Sequence, residues 1–420
     1  MIKHKNIEIL FISHSDKLGG AARACFRLNK AFIKNQYNAK TFVQIKKSDE
    51  SFVLGPSSKL GIMWGILRSK LGQLLIRIFI KKKSKTINSL NIYPSSMLHR
   101  INSSSADIVN LHWINGETIS IKQIAKISKP TVMTLHDMWA LCGTEHVLSD
   151  DMFESFKKDQ TYTNNNYRLF NFDYFTWKRK KKLWNNNLTI VTPSSWLANC
   201  AKQSAIFHNA SIQVIPNPID TNLFKPIDKT VARKILNLPQ EKKLIGFGSW
   251  KGDKDPNKGY DLLIDTLDHI ANCSNNDGYN IECVIFGSSD KKDNLKLDTH
   301  YLGHLNDEYS LALLYNALDM IIVPSRIENL PQVATESLSC GCPVAGFNTA
   351  GMPDTIEHMK TGYLAAPYNT EELASGIINI LMNNDLRKVM SKNARENALS
   401  NWSEDVVTRK YSELFNKLAK

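Results

Sequence analysis

Two glutamates, Glu328 and Glu336, stand eight residues apart in PSRIENLPQVATESLSCGCPVAGF, the stretch from Pro324 to Phe347. The apolar run MIIVPS closes at Pro324-Ser325, a loop carries Glu328, and a helix starting near Pro331 carries Glu336 about a turn and a half inside. Such a loop offers the amides of Asn329, Leu330 and Gln332 to an anion, and the dipole of the following helix favours a phosphate there. A carboxylate beside that phosphate has the chemistry to hold sugar hydroxyls. Taken alone, two glutamates at this spacing more often mark a solvated helix face.

Gly19 and Gly20 follow the first apolar run and precede a helix expected from Ala21, so a phosphate or sugar can approach backbone with no side chain in the way. A simple tight turn is the plainer reading of that pair. His112 and His136 close neighbouring runs, DIVNLH and TVMTLH, which puts an imidazole at the end of each strand; a satisfied structural histidine is the alternative at both.

These residues need a scaffold, and the pattern of the chain supplies one. Short Val, Ile, Leu and Phe runs alternate with longer segments of helical period, the mark of parallel sheets covered on both faces. The first half holds runs at Ile7, Thr41, Asp107, Thr131, Thr189 and Ile212, the second at Leu244, Ile281, His300, Met320, Cys342 and Gly362. The expected fold is α/β, with two doubly wound Rossmann-like domains facing a central cleft. Ligands in such sheets bind beyond the carboxyl ends of the strands. The expected boundaries are 1–216, 217–400 and a terminal helix over 401–420, the seam falling at Pro216-Asn217-Pro218. That last helix carries Val407, Tyr411, Leu414, Phe415 and Leu418 on one face and needs a surface to cover, expected on the first domain.

A length of 420 residues with 42% apolar and 22% charged residues is ordinary globular composition. Lys and Arg exceed Asp and Glu by 53 to 40, which points to a polyanionic partner. Nucleic acid is disfavoured, since no helix-turn-helix cue, zinc-finger spacing or aromatic RNA-binding strand accompanies the charge. Seven scattered cysteines without a CxxC spacing argue against a disulfide framework and a zinc ribbon and suit a reducing cytoplasm. Cys340 and Cys342 read as core, and Asp150-Asp151 reads as a polar loop. The opening MIKHKNIEILFIS lacks a small-residue cleavage site and is not expected to be a signal peptide, and no run is long enough to span a bilayer.

Two basic segments stand outside the alternation. Residues 59–85 carry eight Lys or Arg and no acid, with Leu60, Trp64, Leu67, Leu71, Leu74 and Ile78 at steps of four and three. This is a basic amphipathic helix, either lying on an anionic membrane surface or packed on its own sheet with its basic face in solvent. The run FTWKRKKKLW, from Phe175 to Trp184, either touches lipid or a polyanion or forms a solvated basic helix.

The stretch from Pro324 resembles the signature of family 4 retaining glycosyltransferases of the GT-B fold. The likeness extends through DKLGGAARA (from Asp16), NLHWINGE (from Asn110), TLHDMWALCG (from Thr134), TPSSWLA (from Thr192), VIPNPIDTNLFKP (from Val214), KGYDLLI (from Lys258) and LYNALDMIIVPS (from Leu314). The pairing of NLHWINGE with TLHDMW is similar to the bacterial branch that builds surface polysaccharides such as O antigen, capsule or colanic acid.

The resemblance implies roles. Glu328 corresponds to the glutamate that contacts the transferred sugar and steadies positive charge at its anomeric carbon, Glu336 to the partner of the ribose hydroxyls, and Lys258 to the cation that neutralises the diphosphate leaving group. It places His136 against the donor sugar and Gly19, Gly20, Asn329, Leu330 and Gln332 around the donor; His112 would line the acceptor side. It implies no metal and no cofactor, the nucleotide diphosphate sugar being a co-substrate. Two positions depart from the pattern: Ser249 follows Gly248 where an Arg is usual, leaving a replacement cation to be sought in KGDKDPN (251–257), and Pro331 stands where Gly is common. The expectation is a cytoplasmic enzyme, peripheral on the inner face of the membrane, that moves a sugar to a lipid-linked oligosaccharide. A GT-B epimerase or hydrolase and a non-catalytic glycan-binding protein are the alternatives.

Overall fold

A computed structural model of the chain describes residues 7–79, 87–158, 171–184, 188–248, 255–287, 295–305 and 307–419. They form two compact units, one of Met1–Pro218 with Asp405–Lys420 and the other of Ile219–Glu404.

The first unit is built on strands β1 (Glu8–Ser15), β2 (Asn38–Ile45), β3 (Val53–Leu54), β4 (Ile108–Leu111), β5 (Thr131–Thr134), β6 (Thr189–Thr192) and β7 (Ile212–Val214). All pair in parallel, in the order β3-β2-β1-β4-β5-β6-β7. Helices α1 (Gly20–Lys34), α2 (Lys59–Phe79), α3 (Met97–Asn102), α4 (Ile121–Ile124), α5 (Asp150–Glu154), α6 (Phe172–Leu183) and α7 (Ser195–Gln203) join them. Both faces of the sheet are buried, which is why its strands read as continuous apolar runs. Along β1, Leu10 and Ile12 enter one core and Ile9 and Phe11 the other.

The second unit repeats the plan with β8 (Lys243–Gly248), β9 (Ile281–Phe286), β10 (Thr299–Tyr301), β11 (Met320–Val323), β12 (Val344–Phe347) and β13 (Gly362–Ala365), again parallel, in the order β10-β9-β8-β11-β12-β13. Its helices are α8 (Lys229–Ile235), α9 (Tyr260–Asp277), α10 (Glu308–Ala317), α11 (Gln332–Ser339), α12 (Thr370–Met382) and α13 (Asn384–Asn401). In each sheet the strand order reverses between the first and fourth strands, and ligands of doubly wound sheets gather at the carboxyl ends beside that point. Gly19 and His112 follow β1 and β4; Lys258 and Glu328 follow β8 and β11.

The last helix, α14 (Glu404–Leu418), lies within the first unit. Val407, Tyr411, Leu414 and Phe415 are buried with Phe11 and Phe32, and Phe415 stacks on Phe32 at 5.7 Å. Each such side chain contributes roughly 1.5–3 kcal/mol of burial before chain entropy is counted. Tyr411 Oη lies 3.1 Å from Thr134 Oγ1, tying the chain end to β5.

Helix α2 faces the opposite way from a helix packed through its apolar stripe. Its buried residues are Gly65, Arg68 and Gly72, while Leu60, Trp64, Leu67, Leu74 and Ile78 are exposed. A Cβ on Gly65 would lie 1.6 Å from Gln44 Nε2 and one on Gly72 3.0 Å from Glu117 Oε1, so the small residues allow close approach. Arg68 donates to Gln44 Oε1 at 2.8 Å. The helix thus docks by a seam of small and polar side chains, and of the two sequence readings the alternative that packs its apolar stripe on the sheet is the one the structure contradicts. Residues 80–86 lie outside the described residues.

In helix α6 the basic run 175–184 is not uniformly solvated. Lys180 is fully buried, donates to the carbonyls of Trp139, Cys142 (3.1 Å) and Gly143 (2.7 Å), and sits 3.7 Å above the Trp139 ring. Lys178, Lys181 and Lys182 are exposed. Asp150 and Asp151 open α5 rather than lying in a loop.

Candidate functional site

In the second unit the sequence after β8 is shaped to present Lys258. Asp255 accepts from the amide of Asn257 at 3.0 Å and opens a 3-10 turn over Pro256–Lys258. Gly259 then takes φ +65°, and a Cβ there would meet the Pro324 carbonyl oxygen at 1.9 Å. Only glycine allows this turn to lie against the end of β11. Arg326 fixes the same junction: its amide donates to Asn257 O at 2.8 Å, and its guanidinium reaches Pro256 O and both carboxylate oxygens of Asp261.

With both loops held, the Lys258 ammonium pairs with Glu328 Oε1. Burial alone lowers the lysine pKa, but the charge and hydrogen bond of Glu328, with Asp255 behind, hold it above the ordinary lysine value. The lysine is therefore a cation at neutral pH. The Glu328 carbonyl accepts from Gly351 N at 2.8 Å, where a side chain would strike Asn329 O, and Thr349 Oγ1 donates to Arg326 O. Both ends of the Glu328 loop are thereby anchored.

Downstream, Asn329 and Gln332 are half-buried and Leu330 is buried. Pro331 precedes α11 in an extended conformation, so the helix begins one residue later than its proline. Glu336 lies within α11, only 2% exposed, and accepts from Tyr315 Oη at 2.9 Å. The structure brings Lys258 and Glu328 together but sets Glu336 inward, against α10. Ser249, Trp250 and residues 251–254 lie outside the described residues.

The first unit holds a second constellation. Gly19 has φ +89° with open space where a side chain would stand, and Gly20 begins α1. Asp16, just before, accepts from the amides of Lys47 and Ser48 at 2.8 and 2.7 Å. Burial raises its pKa, but these bonds more than offset it, so the carboxylate stays ionised and anchors the glycine loop to the end of β2.

The ends of β4 and β5 form a ladder of side chains, each rung joining residues 24 apart. Thr134 donates to Asn110 Oδ1 at 3.0 Å, His112 Nδ1 meets His136 Nε2 at 2.9 Å, and Trp113 Nε1 donates to Asp137 Oδ2 at 2.9 Å. Asp137 also takes His146 Nδ1 at 2.6 Å, and His146 Nε2 reaches Ser89 Oγ at 2.9 Å. Burial drives His136 down to about 4 and His112 well below the ordinary histidine value, so both rings are neutral near pH 7. Asp137 is raised by burial yet held below the usual carboxylate value by His146. His112 is 2% exposed, its ring set against His136 and Phe11.

Sequence reasoning missed Asp16, Asp137, His146 and the Arg326–Asp261 pair. Asp137 was open to detection, because NLHW and TLHD repeat one pattern at a fixed offset; His146 and Asp261 had no such signal. Among the described residues, no group of three or more His, Cys, Asp or Glu is placed to hold a metal ion, and no helix is long and apolar enough to cross a membrane.

Comparison with known proteins connects these geometries to a family. Residues 228–397 match the family model for glycosyl transferases group 1. A D-inositol 3-phosphate glycosyltransferase of Saccharomonospora viridis is 24% identical over 204 residues, covering 45% of this chain and 46% of that protein. The chain spans about half the length of the curated relatives it matches. Among solved structures, HepE of Anabaena in complex with UDP-glucose superposes with a TM-score of 0.64 at 18% identity, over 98% of this chain and 100% of that one. WaaG, a glycosyltransferase involved in lipopolysaccharide biosynthesis, gives 0.60 at 16% identity over 97% and 99%. Residues 228–397 are thus similar to the glycosyl transferases group 1 family, and they lie in the second of two Rossmann-like domains in a chain whose fold matches GT-B structures.

Proposed function

We propose that the chain transfers a sugar from a nucleoside diphosphate sugar to an acceptor presented at an anionic membrane surface, with retention at the anomeric carbon. The observation that carries this reading is the Lys258–Glu328 pair at the strand-order reversal of the family-matched domain. When a diphosphate arrives, Lys258 exchanges its carboxylate partner for phosphate oxygens, where negative charge accumulates as the glycosidic bond breaks. Glu328, released from the lysine, faces the sugar and steadies positive charge at the anomeric carbon. Glu336, held by Tyr315, is the proposed partner of the ribose hydroxyls, and the amides near Asn329, Leu330 and Gln332 support the diphosphate. The family resemblance assigns His136 and the Gly19-Gly20 loop to the donor sugar as well. The proposed chemistry uses these side chains and backbone amides, with no metal or cofactor.

Support for a nucleotide-sugar donor comes from the family match and from HepE, whose structure holds UDP-glucose. Support for the membrane comes from α2. Eight of the 23 large apolar side chains exposed among the described residues lie on this one helix, interleaved with Lys59, Lys70 and Arg77. An outward apolar face edged by cations suits the headgroup layer of an anionic leaflet. A lipid-linked oligosaccharide on the inner face of the cytoplasmic membrane fits that placement, and the resemblance at NLHWINGE and TLHDMW supports a role in O-antigen, capsule or exopolysaccharide biosynthesis.

Incubating the protein with UDP-, GDP- and other nucleotide sugars, with and without membrane lipid extract, tests the proposal. Release of nucleoside diphosphate that depends on extract, with label appearing in lipid, is expected. Equal release without extract would replace transfer by hydrolysis or epimerisation, and binding without turnover for every donor and extract would favour a glycan-binding protein.

A further inference from the structure

The second unit carries two hollows apart from Lys258 and Glu328. The first, about 280 Å³, lies at the amino ends of β11 and β12, against Asp319 and Pro343, and is bordered by Lys229 of α8 and by Arg387 and Lys388 of α13. The second, about 350 Å³, is lined by Leu223, Ile227, Tyr309, Ala312 and Leu313, beside α10. Ile227 and Asn316 belong to both.

Charge sets the first hollow apart. Asp319 is buried, and its one carboxylate meets three cations: Lys229 Nζ at 2.6 Å, Arg233 Nη2 at 2.8 Å and Arg387 Nε at 3.6 Å. One negative charge against three positive charges leaves a net positive wall. Arg387 is fixed in it by donating to Leu381 O at 2.7 Å and Asn384 Oδ1 at 2.9 Å. Lys388, at the rim, reaches Asp385 only at 3.9 Å, both in solvent. Lys243 responds to the same excess: burial lowers its pKa first, then Arg387, Lys229 and Arg233 lower it further against the opposing Asp319. Lys229 is 41% exposed, so an anion reaches its ammonium while Asp319, at 4%, stays covered.

The second hollow is of another kind, because its amide and serine side chains already have partners within the protein. Asn316 accepts from the Ile227 amide at 2.7 Å and donates to Lys225 O at 3.0 Å and Ala312 O at 2.8 Å. Ser310 donates to Asp307 from its amide at 2.8 Å and from its hydroxyl at 2.7 Å. The wall is then chiefly hydrocarbon, which suits an alkyl chain better than a peptide, whose backbone groups would need partners. Val231 and Ile235, one and two turns beyond Ile227, are exposed as well.

We propose that the two hollows form one binding site for a phosphate-headed lipid, its anionic head against Lys229, Arg387 and Lys388 and its apolar chain passing Ile227 into the hollow of Leu223, Tyr309 and Leu313. A molecule with both parts satisfies both surfaces, and the shared wall of Ile227 and Asn316 puts them within its reach. The inference goes beyond the proposed transfer reaction and needs neither the donor site nor α2.

The test is hydrogen exchange read by mass spectrometry on the full chain, titrated with decyl phosphate below its micelle concentration and, separately, with inorganic phosphate and with a neutral decyl ether of polyethylene glycol. No nucleotide sugar is present, so the outcome is independent of the transferase assignment. Expected is protection of 223–235 and 307–317, half-complete at a decyl phosphate concentration about ten-fold or more below that of either control. Lys229→Gln, which keeps a donor for Asp319, and Tyr309→Glu, which sets a charge in the apolar hollow, should each raise that concentration by about five-fold or more. Tyr309 is 76% exposed, so its variant keeps the fold. Equal protection by inorganic phosphate would reduce the site to an anion pocket, and equal protection by the ether to an apolar one; either result overturns the proposal. So would protection confined to 59–79, or binding unchanged in Tyr309→Glu.

Discussion

The ammonium of Lys258 and the carboxylate of Glu328, 70 residues apart in the chain, form an ion pair at the point where the second sheet reverses its strand order. The lysine follows β8 and the glutamate follows β11, adjacent strands held together by Met320↔Ile245 pairing. Their meeting depends on Gly259 and on Arg326, which pin the two loops to each other.

Glu328→Gln keeps the shape of the side chain but removes its charge. Transfer should fall by about 10²–10³-fold, the size expected when one preorganised electrostatic group is lost. Because the pair is partly open to solvent, the melting temperature should move little, with roughly 1 kcal/mol or less at stake. Turnover assays beside thermal unfolding check both halves.

Gly259→Ala tests the positioning of Lys258 without touching its charge. A Cβ there strikes the Pro324 carbonyl at a backbone conformation alanine resists. Expected are a loss of roughly 1–3 kcal/mol in stability and a weakened affinity for nucleoside diphosphates. Calorimetric titration with UDP and GDP measures the second.

Helix α2 should bind anionic vesicles through its outward face. Leu67→Asp with Leu74→Asp should abolish sedimentation with vesicles containing phosphatidylglycerol and leave unfolding nearly unchanged, because both side chains already face outward. Charge reversal at Lys59, Lys70 and Arg77 should weaken binding by roughly 1 kcal/mol or more per site, and added salt should mimic it. Persistent binding of the double leucine variant would count against the membrane placement.

Lys180 predicts a pH signature. Burial lowers its pKa from 10.5 to about 7 in the folded chain, whereas the unfolded chain keeps the ordinary value. Between these two values the unfolded state holds more protons, so stability should rise with pH across that window, at up to about 1.4 kcal/mol per pH unit from this group. The penalty is fully present below about pH 7. Chemical unfolding at pH 7, 8 and 9 should show this slope in the unmodified chain and lose it in Lys180→Met.

How much of this was legible in the sequence follows from what each feature depends on. All twelve apolar runs became strands because parallel sheets bury both faces, leaving an unmistakable composition; β3, two residues long, was too short to leave one. The carboxy-terminal helix was legible through Tyr411 and Phe415, whose spacing marks a face that must be covered. The orientation of α2 was not, since periodicity shows a stripe without saying which side meets the protein. That choice rests on Gln44 and Glu117, distant residues that accept a helix only where Gly65 and Gly72 stand. Lys180 was hidden among solvated lysines because its three carbonyl partners come from a loop some 40 residues earlier. Glu328 and Lys258 were recognisable as types; their contact, and the inward turn of Glu336 onto Tyr315, required the folded chain.

The most direct measurement compares UDP with UMP, and GDP with GMP, in calorimetric titrations of the unmodified chain and Lys258→Ala. If Lys258 takes the diphosphate, at least one diphosphate binds the unmodified chain ten-fold or more tighter than its monophosphate, and the alanine variant loses most of that preference while still binding the monophosphate. A preference that survives intact in Lys258→Ala would contradict the account.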